Sequence, residues 1–205
     1  MFKTDQEKFW AENFGTEYIE RNQGAQLLAS NLNFFSKAFA KAGKINSCLE
    51  FGSNIGMNLK ALKLLYPNIE LRGIEINKQA SEQLGNLIGS ENVYNSSIFD
   101  YEVEKKSDIT LIKGVLIHIN PDMLELVYQK LYDASSKFIL IAEYYNPSPV
   151  TIPYRGHSNK LFKRDFAGEI LEKFSDTELV DYGFVYRKDS AFPQDDITWF
   201  LIKKI

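Results

Sequence analysis

A glycine-containing stretch between residues 46 and 59 constrains the fold of this chain more than any other feature. Ser47–Phe51 is short and mostly apolar, as expected of a buried parallel strand. The turn Gly52–Gly56 follows, and its residues tolerate positive φ or close approach of the backbone. In Met57–Leu65, apolar residues recur at helical spacing. A strand, a tight glycine turn and a helix in this order predict a nucleotide-cofactor site at the carboxyl edge of a parallel sheet.

The residues around this turn favour S-adenosylmethionine (SAM) over a dinucleotide. The pattern is Glu50-x-Gly52-x-Asn54-x-Gly56, so an acid precedes the first glycine by two positions. A dinucleotide site packs its G-x-G-x-x-G backbone against a pyrophosphate, which Glu50 would repel. SAM has no phosphate, and a carboxylate attracts its sulfonium and ammonium groups. Asn54 tolerates the left-handed conformation better than most residues. The alternative is an ordinary strand–helix turn with a chance pair of glycines.

A second acid, Glu75, stands near the end of the next predicted strand, residues 70–76, about twenty residues after the glycine turn. A carboxylate there can accept hydrogen bonds from both hydroxyls of an adenosine ribose. We therefore assign Glu75 and the adjacent Ile76 to the cofactor site. The alternative is an acid that merely begins the following loop.

With these features in chain order, the sequence resembles a class I SAM-dependent methyltransferase, whose cofactor loop usually reads acid-x-Gly-x-Gly-x-Gly. The resemblance covers roughly residues 45–145. It implies a Rossmann-like α/β fold, with seven strands in a mostly parallel sheet and an N-terminal helical lead-in. Residues 179–187 and 198–203 are expected to form a closing antiparallel hairpin.

The same resemblance implies how the adenine and the methyl donor are held. In that family, the exit loop of the third strand usually carries an acid that accepts from the adenine amino group, followed by an apolar residue. Within residues 92–101, Ser97 and Ile98 take these places, and Asp100 comes three positions later. Whether Ser97 or Asp100 contacts the amino group stays open. Lys113, at the end of the fourth strand, is expected to face the methyl donor.

A more family-specific resemblance lies in the lead-in. The chain is similar there to the methylase family associated with pseudaminic acid biosynthesis, which accompanies bacterial pathways that make nonulosonic acids for flagella and surface glycans. The residues that carry this similarity are Phe9, Trp10, Phe14, Gly15, Tyr18, Arg21 and Asn22, together with residues 49–59. It implies that Tyr18, Arg21 and Asn22 fold over the SAM pocket, where Arg21 pairs with the methionine carboxylate.

Residues 146–164 interrupt the alternation of strands and helices. This segment contains three prolines, a glycine and a local excess of positive charge in a chain of net charge −3. The basic or histidine residues are Arg155, His157, Lys160, Lys163 and Arg164. We expect a long irregular loop at the carboxyl side of the sheet that forms a lid over an anionic acceptor. Arg155 and Lys160 are the candidate acceptor ligands, and the alternative is a solvated loop.

Methyl transfer from a sulfonium requires an aligned nucleophile, a dry cleft and the loss of one proton. His118 lies in the loop after the fourth strand and His157 in the 146–164 segment, so either histidine is a candidate general base. His118 could equally orient its own loop. Tyr144 and Tyr145 follow the fifth strand, and we expect Tyr144 to act in the catalytic cleft and Tyr145 to contact the acceptor.

Length and composition fit one domain of 205 residues, with residues 1–44 as a helical cap. The single cysteine, Cys48, points to a reducing cytoplasm. No apolar run approaches the ~20 residues of a membrane span, and the amino terminus does not read as a signal peptide. We therefore expect no membrane association.

The net negative charge argues against a nucleic-acid partner. We expect a monomer or homodimer that binds SAM and a small, anionic acceptor, an acidic sugar or related metabolite, and we assign no metal ligand. Three alternatives remain open at this point: a nicotinamide oxidoreductase, a nucleic-acid methyltransferase, and a SAM-binding protein without catalytic activity.

Overall fold

The computed structural model describes residues 2–205 and is built around a seven-stranded sheet in the order β3-β2-β1-β4-β5-β9-β8. The first five of these strands in the chain run parallel, and β9 and β8 close the sheet in the antiparallel sense. Their bounds are β1 Ser47–Phe51, β2 Glu70–Ile74, β3 Val93–Tyr94, β4 Ser107–Lys113, β5 Ser135–Glu143, β8 Thr177–Val185 and β9 Ile197–Lys204. The predicted Rossmann-like fold with a C-terminal antiparallel hairpin is confirmed.

Seven α-helices accompany the strands in residues 2–205. They are α1 Asp5–Ala11, α2 Asn13–Arg21, α3 Ala25–Ala38, α4 Met57–Leu65, α5 Lys78–Ile88, α6 Leu124–Ala134 and α7 Phe166–Lys173. Strand residues alternate between two cores. Cys48 and Leu111 belong to one core with α3, α4 and α5, whereas Leu49 and Ile112 belong to the other with α6 and α7. No helix among residues 2–205 combines the length and the apolar character needed to cross a bilayer.

The sheet brings the predicted cofactor residues to one edge. β1 lies between β2 and β4, so the chain reverses its direction of winding at β1, and Phe51 is level with both Ile74 and Ile112. Ligands in open α/β sheets bind outside the carboxyl ends of the strands at such a reversal. Gly52, which follows Phe51, therefore stands beside the residues that follow β2 and end β4.

The lead-in forms two short helices, and the break between them is at Glu12. Gly15 lies inside α2, where a Cβ atom would come within 1.8 Å of the Trp10 carbonyl oxygen. Glycine therefore permits the two helices to approach closely. Aromatic rings pack across the break: the centroid of the Trp10 ring is 5.2 Å from that of Phe14 and 5.1 Å from that of Tyr18.

The expectation of an irregular loop at 146–164 is wrong. The segment contains a two-stranded hairpin, β6 Val150–Tyr154 and β7 His157–Lys163. Arg155 and Gly156 make its turn with φ of +48° and +85°, as a two-residue hairpin with the favoured twist requires. Pro153 is accommodated at a shift in register between the strands, where a missing N–H does not break the ladder.

Candidate cofactor and acceptor site

A cavity of about 650 Å³ opens over the carboxyl ends of β1, β2 and β4. This volume lies within the range of small-molecule sites. Its wall combines the loops that follow β1 to β4, the lead-in, and Tyr154 and Arg155 of the hairpin. The predicted site residues that line it are Tyr18, Arg21, Asn22, Gly52, Asn54, Glu75, Ile76, Ser97, Ile98, Lys113, His118, Tyr144 and Arg155. The structure thus brings together segments that are far apart in sequence.

The glycine turn adopts the predicted left-handed geometry. Gly52, Asn54 and Gly56 have φ of +75°, +48° and +83°. A Cβ atom on Gly52 would lie only 2.7 Å from Val115 Cγ2, so glycine lets the turn pack against the loop after β4. The backbone N–H groups of Gly52 and Ser53 donate to the Ile74 carbonyl at 2.9 and 3.0 Å. These bonds fix the turn beside the end of β2.

Glu75 is buried and holds the cofactor loop. Its Oε2 accepts from the Asn54 backbone N–H at 2.7 Å, and its Oε1 accepts from the Asn77 N–H at 2.7 Å. Burial raises the pKa of this carboxyl, and the backbone donors oppose that shift. Each oxygen has one protein donor here and retains capacity for a second hydrogen bond. Glu75 can therefore organise the loop and receive a diol at once.

Glu50 lies one layer behind the cavity wall. Its Oε1 accepts from Asn58 Nδ2 at 2.6 Å, and its Oε2 has no hydrogen-bond partner among residues 2–205. Burial raises the pKa of Glu50 to about 8, although Asn58 and the Lys113 ammonium favour its ionised form. Lys113 lines the cavity. Burial lowers its pKa, although the carboxylates of Glu50, Asp195 and Glu143 favour its charged form. Gly56 also lies outside the lining, at the start of α4.

The loop 96–99 after β3 lines the end of the cavity beyond Glu75, together with residues of the lead-in. Ser97 Oγ donates to Glu7 Oε1 and accepts from the Phe99 N–H at 3.0 Å. Asp100 is exposed, pairs with Lys3 at 2.5 Å and does not line the cavity. Of the two predicted adenine contacts, Ser97 is therefore the one that the cavity reaches.

His118 is buried against aromatic rings in the cavity wall. Its ring centroid is 4.7 Å from that of Trp10 and 4.8 Å from that of Tyr154. Nδ1 lies 2.5 Å from the Lys160 carbonyl oxygen, so Nδ1 carries the proton and Nε2 is the acceptor. Burial lowers the pKa of His118 to about 4, so the imidazole is neutral at pH 7. Tyr144 also lines the cavity; burial raises the pKa of its hydroxyl, and the negative charge of Asp195 raises it further.

Two arginines lie in the wall with their guanidinium groups stacked on aromatic rings. Arg21 lies over Phe14 at 5.3 Å and Tyr18 at 5.7 Å, and Arg155 lies over Tyr154 at 5.7 Å. Stacking orders a guanidinium group without using its N–H donors. Both side chains therefore have donors for an anion.

The other basic residues of the 146–164 segment do not converge on the cavity. Lys160 Nζ donates to the Asp5 carbonyl at 3.1 Å and lies over the Phe9 ring. His157 is exposed, with its ring 5.0 Å from that of Phe9. Lys163 lies over the Tyr144 ring at 5.1 Å, and the Arg164 side chain pairs with Glu169 at 2.6 Å. Tyr145 is also exposed and packs near Phe200. Only Arg155 of the predicted basic cluster lines the cavity.

Sequence reasoning missed several residues of the wall. Glu7 and Gln6 come from α1, and Gln194 and Asp195 come from the loop before β9. The pattern Thr4-x-x-Glu7 was visible as a capping box, which the structure contains, but a capping box predicts only a helix start. Nothing in the sequence of the loop before β9 indicates that it reaches the cavity.

The polar atoms of the wall fit SAM. Within residues 2–205, Gln6 Oε1, Asn54 Oδ1 and Gln194 Oε1 are buried acceptors without a hydrogen-bond partner, and all three residues line the cavity. Buried acceptors of this kind call for a ligand with donors. SAM offers an ammonium, two ribose hydroxyls and an adenine amino group as donors. The hydrogen-bond donors of SAM match these acceptors, and the acid in the glycine turn fits the same ligand.

The sheet order, the left-handed turn and the acid after β2 define the fold of class I SAM-dependent methyltransferases. Solved structures with this fold resemble the chain over almost its whole length. The mitomycin 7-O-methyltransferase MmcR matches with a TM-score of 0.68 and 14% identity over 98% of this chain and 61% of that chain. The chain thus spans less than two thirds of that protein.

Two further structures cover more of their own length. The 1,6-didemethyltoxoflavin-N1-methyltransferase of Burkholderia thailandensis, solved with S-adenosylhomocysteine (SAH), has a TM-score of 0.71 and 14% identity over 97% of this chain and 86% of that one. The magnesium protoporphyrin IX methyltransferase ChlM of Synechocystis PCC 6803, solved with SAM, has a TM-score of 0.67 and 10% identity over 100% of both chains. No protein-family model and no curated protein sequence matches the chain. At these identities, the likeness establishes the fold.

Proposed function

We propose that this protein transfers a methyl group from SAM to a small, anionic acceptor. Glu75 carries the proposal: a buried carboxylate after β2 holds the glycine turn of β1 and keeps capacity for a ribose diol. Two of the solved structures with the same fold contain SAM or SAH, which supports the same cofactor here. The acid in the glycine turn and the unpartnered hydrogen-bond acceptors of the cavity wall independently support SAM as the cofactor.

The cofactor would lie along the edge of the sheet from the β3 loop to β4. Glu75 would accept the ribose hydroxyls, and Ile76 and Ile98 would pack on the adenine. Arg21 would pair with the methionine carboxylate, with Tyr18 and Asn22 beside it in the wall. Glu50, behind the turn, would attract the positive charge of the ligand in its ionised form, which that charge would itself favour by lowering the raised pKa of the carboxyl.

The bound cofactor supplies an activated methyl group on a sulfonium. The chain supplies a neutral imidazole, a hydrophobic wall and an anion site. The Lys160 carbonyl accepts a hydrogen bond from the Nδ1–H of His118, which leaves Nε2 unprotonated. Nε2 would therefore receive the proton of the methyl acceptor. Trp10 and Tyr154 flank that ring and would keep water from the reacting atoms. Tyr144 would shape the same cleft.

Arg155 and the lead-in support the choice of acceptor. Arg155 is stacked on Tyr154 at the cavity wall, where it would bind a carboxylate or phosphate. The similarity of residues 9–22 to the pseudaminic acid-associated methylases favours an acidic sugar or nucleotide sugar of bacterial surface-glycan synthesis. Structural neighbours that are named as methyltransferases of small molecules, mitomycin and 1,6-didemethyltoxoflavin, fit a small acceptor. The Lys160 side chain, Tyr145 and His157 lie outside the wall and have no part in this proposal.

All 205 residues would act as one domain, a monomer or homodimer, in which residues 1–44 cap the cofactor and the 146–164 segment covers the acceptor. The buried, free thiol of Cys48 fits the reducing cytoplasm in which we place it. No nucleic acid is required by the proposal.

The test is incubation of the protein with methyl-labelled SAM and a small-molecule extract of its source cells, followed by identification of the labelled product. Label in a small acidic metabolite supports the proposal. SAM binding without label in any molecule supports a non-catalytic SAM-binding protein. Binding of NADH without binding of SAM supports an oxidoreductase, and salt-sensitive binding to RNA or DNA supports a nucleic-acid methyltransferase.

A further inference from the structure

Glu7 is a buried carboxylate that the lead-in places in the cavity wall. It is the third residue of α1 and completes a capping box with Thr4: Thr4 Oγ1 accepts from the Glu7 N–H at 3.1 Å, and Glu7 Oε2 accepts from the Thr4 N–H at 3.2 Å. Its other oxygen, Oε1, accepts from Ser97 Oγ across 90 residues of sequence. The capping box and Ser97 thus fix the side chain at the loop after β3.

This end of the cavity is where the proposed cofactor would present its adenine. The strand order β4-β1-β2-β3 puts the loop 96–99 on the far side of Glu75 from Lys113. If Glu75 binds the ribose and the reacting methyl points towards β4, the base falls between the loop 96–99 and the first turn of α1. The 6-amino group of adenine is a donor, so its recognition needs an acceptor at that place.

Glu7 is better suited than its neighbours to be that acceptor. The single proton of the Ser97 hydroxyl is given to Glu7, and its oxygen already accepts from the Phe99 N–H. Asp100 faces solvent and pairs with Lys3. Glu7 Oε1 has one protein donor and keeps a further lone pair, and a carboxylate accepts more strongly than a hydroxyl.

We propose that Glu7 accepts a hydrogen bond from the adenine 6-amino group. The inference rests on the proposed SAM-binding function and names the residue that reads the base. It has a structural consequence, because α1 also carries Trp10, whose ring lies 4.7 Å from that of His118. One helix would therefore both recognise the adenine and wall the acceptor cleft.

The experiment compares the affinities of SAH and S-inosylhomocysteine, in which a 6-oxo group replaces the 6-amino group, by calorimetry. Wild type is expected to prefer SAH by roughly ten-fold to one hundred-fold, the usual effect of a hydrogen bond to a charged group. Glu7→Gln can donate to the 6-oxo group, so the preference should fall to within about three-fold or reverse. Asp5→Asn, an equal charge change at an exposed position of the same helix, should keep the wild-type ratio.

Equal binding of both nucleosides by wild type, or an unchanged ratio in Glu7→Gln, would overturn the inference and leave the proposed function standing. Binding of neither nucleoside by wild type would overturn both. Ser97→Ala provides a second variant that removes the hydroxyl but keeps the Glu7 carboxylate, which the capping box with Thr4 still holds. It should keep the preference for SAH, and loss of the preference there would assign the recognition to Ser97 instead.

Discussion

Replacement of Glu75 by alanine should remove cofactor binding while leaving the chain folded. Two backbone donors, the N–H groups of Asn54 and Asn77, each lie 2.7 Å from the carboxylate. In the bound state, the same two oxygens would also accept both ribose hydroxyls. Alanine therefore removes the ligand contacts and releases the turn that forms the site.

The magnitude follows from the number of bonds to the charged group. A hydrogen bond to an ionised partner contributes about 1.5–3 kcal/mol, so two ribose contacts amount to about 3–6 kcal/mol. The affinity for SAH should therefore fall by roughly 10² to 10⁴. The volume left by the side chain adjoins the cavity, where water can reach the released N–H groups, so we expect a smaller loss in the free energy of unfolding than in binding.

Calorimetry with SAH, together with thermal unfolding, measures both effects. Glu82→Ala is the matched control, because Glu82 is an exposed glutamate on the following helix, and it should bind SAH like wild type. A 2′-deoxyribose analogue of SAH separates the two roles of Glu75: its penalty should be large in wild type and small in Glu75→Ala. A folded Glu75→Ala protein with an affinity within about three-fold of wild type would refute the assignment.

Three further predictions concern the acid, the base and the anion site. The pKa of Glu50, about 8 against 4.5 for a free glutamate, means that its stabilising contribution is present below about pH 4.5 and is lost as pH rises towards 8. Denaturant unfolding should therefore show that the free energy of unfolding of Glu50→Gln rises relative to that of wild type by up to about 1.4 kcal/mol per pH unit between pH 5 and 8. Parallel pH dependences of the two free energies would contradict the burial argument. His118→Gln should lower kcat by roughly 10² or more with SAH affinity unchanged, and the wild-type rate should show no inflection near pH 6.5 from this group; a strong loss of SAH affinity would move His118 to the cofactor side. Arg155→Gln should raise the acceptor KM without changing SAM affinity, whereas Lys188→Gln, an exposed control, should change neither; weakened SAM binding in Arg155→Gln would place the hairpin against the cofactor.

The sheet was predictable because its signals are local. Short apolar strands, the glycine turn and an acid at the end of β2 each specify an element, and the sequence order of those elements fixes the parallel topology. Asn54 was expected to take a left-handed conformation, and it has φ of +48°. The bounds of helix α5 also follow from local signals, since Asn77 caps it and Gly89 ends it.

The hairpin at 146–164 was not predictable in the same way. Its turn places Arg155, rather than asparagine or glycine, at positive φ, and Pro153 stands inside a strand. Both features read as loop signals, and the hairpin is instead stabilised by burial of Leu161 and Phe162 against the core. The sequence also does not indicate where a charged side chain points: Lys160 and Arg155 share one segment, but only Arg155 lines the cavity.

The remaining features of the site depend on contacts between residues that are far apart in the sequence. Glu7 meets Ser97 only because the lead-in folds over the edge of the sheet, and His118 receives its orientation from the backbone of the hairpin. Neither pairing has a periodicity or spacing that a single sequence reveals. The close approach of α1 and α2 at Gly15 has the same character, because the glycine is explained by a carbonyl on another helix.

The central claim is that the tips of β1 and β2 bind the adenosine of SAM, and a crystal structure of the protein with SAH tests it most directly. We predict both ribose hydroxyls within hydrogen-bond distance of the Glu75 carboxylate and the base against the loop 96–99. An adenosine bound anywhere else, or a ribose with no contact to Glu75, would contradict it.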